Sequence, residues 1–146
     1  MGSIEEKIKS LGLDLPPAKP SVGNYIGCKI VGSLLYASGR VSDLKGEVGT
    51  DITEEEAKKA ARDTVLLILS IIKDDINDLD LLKGVAKVQG FIKCSKDFIH
   101  LPRVLDGASD LLISLFGENG RHARTATGVA QLPFNAAIQL DIIFEL

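Results

Sequence analysis

The end of the chain constrains the fold most, because its last segment alternates between two kinds of side chain. The apolar positions of this segment are Ile138, Leu140, Ile142 and Phe144. The positions between them are Gln139, Asp141, Ile143 and Glu145. A two-residue period of this kind predicts a β-strand with one face in a core and the other toward solvent or a partner. We therefore expect a sheet that helices cover on one face only.

Two helices are predicted by their start signals and apolar stripes. Thr53 and Glu56 form a capping box, and the apolar positions that follow repeat with helical spacing through residue 72. Pro102 suits the first turn of a second helix, and Gly117 is suited to end it. Three further apolar residues of the first helix, Leu66, Leu67 and Ile71, fall outside its stripe, so this part of the helix is either deeply buried or covered by another chain. In so small a domain we favour cover by another chain.

The remaining segments predict five strands in one domain. Residues 25–31 and 34–41 form a hairpin around Gly32 and Ser33, and a third strand covers 84–94. Two more strands cover about 123–130 and 136–145. The resulting order, β-β-α-β-α-β-β, indicates an α+β sandwich. We assign residues 21–146 to this domain and residues 1–20 to an amphipathic helix, with Ile4, Ile8 and Leu11 on its apolar face, and a Pro-rich linker.

Composition excludes several classes of function. The 146 residues carry a formal net charge of -3 with scattered basic residues, so no nucleic-acid-binding face is expected. Cys28 and Cys94 have neither metal-ligand spacing nor disulfide density, and two histidines make a metal site improbable. No apolar run is long enough to span a membrane. We expect a soluble cytoplasmic protein that binds no membrane, metal or cofactor.

Arg124 stands out as a candidate binding residue. It shares a strand face with Ala126 and Gly128, so its guanidinium has room around it. A guanidinium grips a carboxylate through two parallel hydrogen bonds, which lysine cannot reproduce. The alternative is an arginine that ends a strand and pairs with a neighbouring acid, and composition alone favours that alternative.

The ordered motifs of the chain resemble those of the Rid (YjgF-like) family. The anchors are Tyr25 after PSVGN, the strand end LLYASGR, FIKCSKDF at residues 91–98, and ARTATGVAQLP followed by the terminal strand. Together they extend from about residue 20 to the end of the chain. The resemblance implies a homotrimer of chorismate-mutase-like subunits, with the sheets facing inward and ligand clefts between adjacent subunits.

The resemblance also implies roles for individual residues. Arg124 would bind the substrate carboxylate, and the backbone at Ala126 would add a contact. Tyr25 would line the cleft, and the loop at Ser38 and Gly39 would close around the substrate. Glutamine at 139 departs from the glutamate that the family's well-known deaminases carry, and it can orient a water molecule without accepting its proton.

The function implied by the resemblance is hydrolysis of reactive 2-imino or 2-enamino acids to 2-oxo acids and ammonia. Gln139 would orient the water, and Tyr25 or His122 would relay a proton. Pro102 replaces an asparagine that many relatives carry, which removes one polar contact of the cleft. Gln139 and Pro102 therefore favour the alternative, a non-catalytic or regulatory protein that binds a small carboxylic acid in the same cleft.

Overall fold

The computed structural model describes residues 2–146, which form three α-helices and a five-stranded sheet. The elements in chain order are α1 (Ser3–Ser10), β1 (Cys28–Val31), β2 (Leu34–Val41), α2 (Glu54–Ile76), β3 (Gly84–Lys93), α3 (Leu101–Phe116), β4 (Ala123–Val129) and β5 (Ile138–Glu145). From β1 onward this is the predicted order. The α+β architecture predicted from the sequence is thus confirmed.

The strands lie in the order β1-β2-β5-β3-β4. Three neighbouring pairs are antiparallel, and β3 pairs with β4 in parallel. A parallel pair needs a crossover connection, and α3 supplies it. The last strand therefore lies in the middle of the sheet, where its apolar face contributes Ile138, Leu140, Ile142 and Phe144 to the core.

The helix signals mark the observed helix ends. Thr53 caps α2, with its hydroxyl accepting the Glu56 N–H at 3.1 Å while the Glu56 carboxylate accepts the Thr53 N–H at 3.1 Å. In α3, Pro102 is the second residue, and Gly117 ends the helix with a positive φ of 64°. The capping box and both glycine and proline signals are confirmed.

The two long helices pack closely on the same face of the sheet. The backbone of α3 approaches α2 at Gly107, where an added Cβ would lie 2.0 Å from the carbonyl oxygen of Lys58. Because no side chain can fit in that space, glycine at this position allows the helices to pack. The opposite face of the sheet has no helix among the described residues.

The chain itself covers the three apolar residues of α2 that we expected another chain to cover. Leu66, Leu67 and Ile71 are buried at 4%, 7% and 6% relative exposure. Residues 11–20 run across α2, and the Ser70 hydroxyl donates to the carbonyl of Pro16 at 2.5 Å. The expectation of partner coverage at these positions is therefore wrong, because the same chain supplies the cover: the proline-rich linker crosses this face of α2, and Gly27 lies beside Ile71.

The N-terminal helix docks on the same core. Ile4 and Ile8 are buried as predicted, but Leu11 lies beyond the helix and is 48% exposed, so its assignment to the apolar face is wrong. The N-cap residue of this helix is Gly2, which has no side chain to accept a hydrogen bond from the first turn. The carboxylate of Asp80 supplies that cap, accepting the N–H of Ser3 at 2.8 Å and of Ile4 at 3.0 Å.

Candidate functional site

A cavity of about 280 Å³ brings together three of the residues singled out from the sequence. Tyr25, Gly39 and Gln139 all line it, and residues 19–22 and 40–45 complete much of its wall. Gln139 is the second residue of β5 and lies on the sheet face away from the helices, since its neighbours Ile138 and Leu140 point into the core. This cavity is the candidate site.

A β-bulge shapes the wall of the cavity at Gly39. The register of β2 against β5 shifts between Ala37, which pairs with Ile142, and Arg40, which pairs with Leu140. An extra residue in β2 thus bends the strand next to the start of β5. Gly39 lies in the bulge, and an added Cβ there would lie 3.4 Å from the Gln139 amide nitrogen. The glycine leaves the Gln139 amide free of a side-chain contact.

Ser38 lies beside the cavity and has a different observed role. Its hydroxyl donates to the carbonyl of Ile26 at 2.6 Å, and its N–H donates to the carbonyl of Gly27 at 3.0 Å. Both bonds hold the segment that carries Tyr25 against β2. The side chain of Ser38 therefore positions the cavity wall, and its proposed contact with a ligand stays a prediction.

Arg124 lies on the helix side of β4 and bonds to α3. Its Nη1 donates to the Asp106 carboxylate at 2.8 Å and to the Ser109 hydroxyl at 3.0 Å. Its Nη2 donates to the carbonyl of Pro102 at 3.3 Å. The alternative given in the sequence analysis, that Arg124 pairs with a neighbouring acid, is observed in the ion pair with Asp106. Among the described residues nothing accepts from Nε, so no hydrogen bond uses the edge formed by Nε and the second Nη2 hydrogen, and the side chain is 22% exposed.

His122 continues this network behind Arg124. Its Nδ1 lies 2.6 Å from the carbonyl of Gly120, which can only accept, so Nδ1 carries a proton. Its Nε2 lies 2.9 Å from the Ser109 hydroxyl, which also accepts from Arg124. In the neutral ring, the Ser109 hydroxyl therefore donates to Nε2. The histidine is tied to Ser109 and does not line the cavity, so its part in proton relay stays a prediction.

The two groups of candidate residues lie apart within one chain. Gln139 on β5 pairs with Phe91 on β3, which pairs with Thr127 on β4. The backbone of Arg124 is therefore displaced from that of Gln139 by two strand spacings, about 10 Å across the sheet, and by three residues, about 10 Å along the strands. Its side chain also lies on the helix side, whereas Gln139 lies on the open side. Ala126 accompanies Arg124, packed against the core beside Gly90. One chain cannot bring these groups to one small ligand.

Sequence reasoning missed two residues of the cavity wall. Arg40 is only 7% exposed and lies with its guanidinium carbon 5.5 Å from the centre of the Tyr25 ring. Phe134 is 62% exposed and has a left-handed φ of 60°, which is rare for an aromatic residue. An arginine inside an otherwise apolar strand was a visible signal for the first, whereas no pattern marks the backbone of the second.

Neither cysteine is poised as a nucleophile. Burial, together with the hydrogen bond and negative charge of Asp75, raises the pKa of Cys28 to about 11, and burial raises the pKa of Cys94. Thiols with raised pKa values are poor nucleophiles at neutral pH. Within residues 2–146 no cluster of three or more acidic, histidine or cysteine side chains could hold a metal ion. No helix in this range is long and apolar enough to cross a bilayer.

Sequence comparison identifies a family over nearly the whole chain. The family described as "YjgF/chorismate mutase-like, putative endoribonuclease" matches residues 5–146. Protein TCP17 of Trypanosoma cruzi is 38% identical over 152 residues, which cover 99% of this chain and 95% of TCP17.

Solved structures share the fold. The protein Atu1372 from Agrobacterium tumefaciens superposes with a TM-score of 0.91 and is 38% identical, covering 99% of this chain and 92% of its own. The TdcF protein of E. coli, solved with bound serine, gives a TM-score of 0.60 at 18% identity, covering 88% of this chain and 93% of TdcF. The second likeness is one of fold alone.

Proposed function

Since the chain belongs to the YjgF/chorismate mutase-like family and has its fold, we propose that it hydrolyses 2-imino or 2-enamino acids to 2-oxo acids and ammonia. The observation that carries this proposal is the grouping of Tyr25, Gly39 and Gln139 in one small cavity. A volume of about 280 Å³ suits a small organic acid and a water molecule.

The proposed site needs two copies of the chain. Arg124 and Ala126 lie on the edge strand β4, on the opposite side of the sheet from Gln139. A cleft between neighbouring subunits would bring Arg124 of one copy to the cavity of the next. We propose a homotrimer with such clefts. The uncovered sheet face supports it, because Tyr36 there is 43% exposed and Ile143 and Phe91 are half-buried.

The proposed reaction requires the site to bind a carboxylate, orient a water molecule and donate a proton. Arg124 would hold the substrate carboxylate through its open Nε and Nη2 edge. The Gln139 amide oxygen would accept a hydrogen bond from water and aim its oxygen at the imine carbon, and the Tyr25 hydroxyl would donate a proton to the leaving nitrogen. Attack by water and loss of ammonia leave a 2-oxo acid. No step requires a cofactor.

A non-catalytic carboxylate-binding function is the alternative. Gln139 cannot accept a proton from water at neutral pH, and this favours binding without turnover. The pairing of Arg124 with Asp106 does not separate the two functions, because both use the same open edge of the guanidinium.

Ammonia release from freshly generated 2-aminoacrylate tests the proposal. We expect the purified protein to release ammonia well above the spontaneous rate, and Arg124→Lys to remove the excess because the fork is lost. If the wild-type protein binds 2-oxobutanoate but ammonia is released only at the spontaneous rate, the result favours the alternative and overturns the proposed turnover.

A further inference from the structure

Arg40 is a buried cation without a counter-ion. The side chain has 7% relative exposure and lines the candidate cavity. Its Nη1 donates to the carbonyl of Pro20 and its Nη2 to the hydroxyl of Ser21, both at 3.2 Å, and both acceptors are neutral. Among the described residues, no carboxylate lies within salt-bridge distance of it. Burying a charge without an opposite charge is costly, so the position is unusual.

The hydrogen bonds of Arg40 are also incomplete. Its Nε is buried and lacks any partner in residues 2–146, the single buried side-chain atom of which this is true in that range. The Tyr25 ring, 5.5 Å from the guanidinium carbon, compensates the charge only in part. The unpartnered Nε adds to the cost of burying this side chain, and the charge of the guanidinium remains uncompensated beside a cavity in which an anionic ligand would offset it.

The surroundings of the cavity add to its positive charge. Lys19, Arg40 and Lys45 contribute side chains to the wall, against one carboxylate, Asp43. That carboxylate forms an ion pair with Lys19, which leaves Arg40 and Lys45 as the excess cations. The bulge explains how an arginine reaches this place, since the register shift sets Arg40 opposite Leu140, whose side chain points into the core.

We infer that Arg40 is a second anion-binding arginine of the cleft, and that the cleft prefers dicarboxylic over monocarboxylic 2-oxo and 2-imino acids. The inference rests on the proposed function for the place of Arg124, which would hold the carboxylate next to the reacting carbon. Arg40 would bind the second carboxylate, at the far end of the substrate. A monocarboxylic acid would leave the charge of Arg40 uncompensated, which gives the preference its physical cause.

Titration calorimetry with two acids on the full chain tests the inference. The probes are 2-oxobutanoate and 2-oxoglutarate, of which the second carries an additional carboxylate. We expect the wild type to bind 2-oxoglutarate about tenfold more tightly, as one charge-assisted contact provides. Arg40→Gln should reduce this ratio to near one. The control Arg62→Gln removes the same charge from a surface pair with Asp63, outside the cavity, and should keep the ratio.

The outcomes separate the inference from the proposed function. Equal affinities in the wild type, a ratio that survives Arg40→Gln, or no binding of either acid would overturn the inference. If the protein deaminates 2-aminoacrylate but binds 2-oxobutanoate and 2-oxoglutarate equally well, the proposed function holds and the inference about Arg40 is wrong. A tenfold ratio without ammonia release would support the inference on a binding protein.

A second variant is needed in case the Arg40→Gln protein does not fold, because that substitution removes the hydrogen bonds to residues 20 and 21. Arg40→Lys keeps the charge and the reach to the Pro20 carbonyl but loses the fork. We then expect the ratio to fall several-fold, and an unchanged ratio in this variant would count against Arg40. Circular dichroism and the thermal midpoint show which variants are folded.

Discussion

The guanidinium of Arg124 and the carboxylate of Asp106 form an ion pair of 2.8 Å between β4 and α3. The pair uses Nη1 and leaves Nε open, so it both orients the guanidinium and lowers its attraction for a second anion. We predict that Asp106→Asn tightens binding of 2-oxobutanoate several-fold, because asparagine keeps an acceptor for Nη1 and removes the negative charge. Calorimetry checks this prediction. Weaker binding would show that Asp106 matters more for orientation than for competition.

A second prediction concerns Arg124 itself. Arg124→Lys should weaken 2-oxobutanoate binding more than tenfold, since an ammonium cannot offer the two parallel donors of the fork. It should lower the free energy of unfolding by about 1 kcal/mol, because the single nitrogen of lysine cannot reach the three acceptors on α3 that the two terminal nitrogens of the guanidinium contact. Arg103→Lys is the control, as Arg103 is exposed and its Nη1 lies 3.9 Å from Glu54. Unchanged affinity in Arg124→Lys would assign Arg124 a purely structural role.

Gln139 is the position that separates turnover from binding. If the chain is a deaminase, Gln139→Glu should raise ammonia release by about a hundredfold, because a carboxylate can share the proton of the attacking water. In a binding protein the same change should weaken the ligand, since a new negative charge would face its carboxylate. Gln131→Glu, on the exposed loop before β5, adds the same charge away from the cavity. High wild-type activity that Gln139→Glu leaves unchanged would contradict both cases and make Tyr25 the next residue to test.

The cap of α1 predicts a dependence of local stability on pH. Hydrogen bonds from the backbone of Ile4 and Ser3 hold the pKa of Asp80 below its usual value. A lowered folded-state pKa means that the cap stabilises the protein above the ordinary pKa of about 4, and that this stability is lost as pH falls through the folded-state value. The protection of residues 3–10 against hydrogen exchange, relative to the intrinsic rate at each pH, should therefore fall below pH 4. Asp80→Asn should lower the thermal midpoint at pH 7 by roughly 3 °C, with the exposed Asp74→Asn as control. Protection that is independent of pH in this range would argue against the cap.

The close approach of α2 and α3 predicts an intolerant position. Gly107→Ala would place a methyl group 2.0 Å from the backbone oxygen of Lys58, so one helix must shift. We expect a loss of about 3 kcal/mol in the free energy of unfolding, measured by urea denaturation. Asp110→Ala adds a good helix former at an exposed site of the same helix and should be neutral or stabilising. A stable Gly107→Ala protein would mean that the helices can separate without cost.

The strands and helices could be predicted because their signals are local. The capping box at Thr53, the proline at 102 and the alternation in β5 depend on neighbouring residues alone. The cover of Leu66, Leu67 and Ile71 could not be predicted, because it comes from segments far away in sequence, the linker at residues 11–20 and Gly27. Periodicity shows that a helix face is apolar, but it does not show which segment packs on it.

Of the six site residues predicted from the sequence, three line the candidate cavity of one chain, and the roles of all six stay predictions. Tyr25, Gly39 and Gln139 were identified from motifs, and they do share a cavity. Pairing of Arg124 with an acid was the alternative that composition favoured, but the sequence did not identify the acid, since Asp106 and Ser109 reach Arg124 only through the crossover between two parallel strands. Arg40 was not singled out, because the sequence does not show the bulge that sets it opposite Leu140.

The bulge in β2 has a consequence for comparing related chains. Three steps along β2, from Ala37 to Arg40, match two steps along β5. A chain that lacks one residue here would turn the arginine outward, even with every neighbouring residue identical, because side chains alternate strictly along a strand. The burial of the cation beside this cavity is therefore decided by a residue count as well as by a residue type. Relatives with the same arginine but a shorter strand should carry this charge exposed on the open face of the sheet.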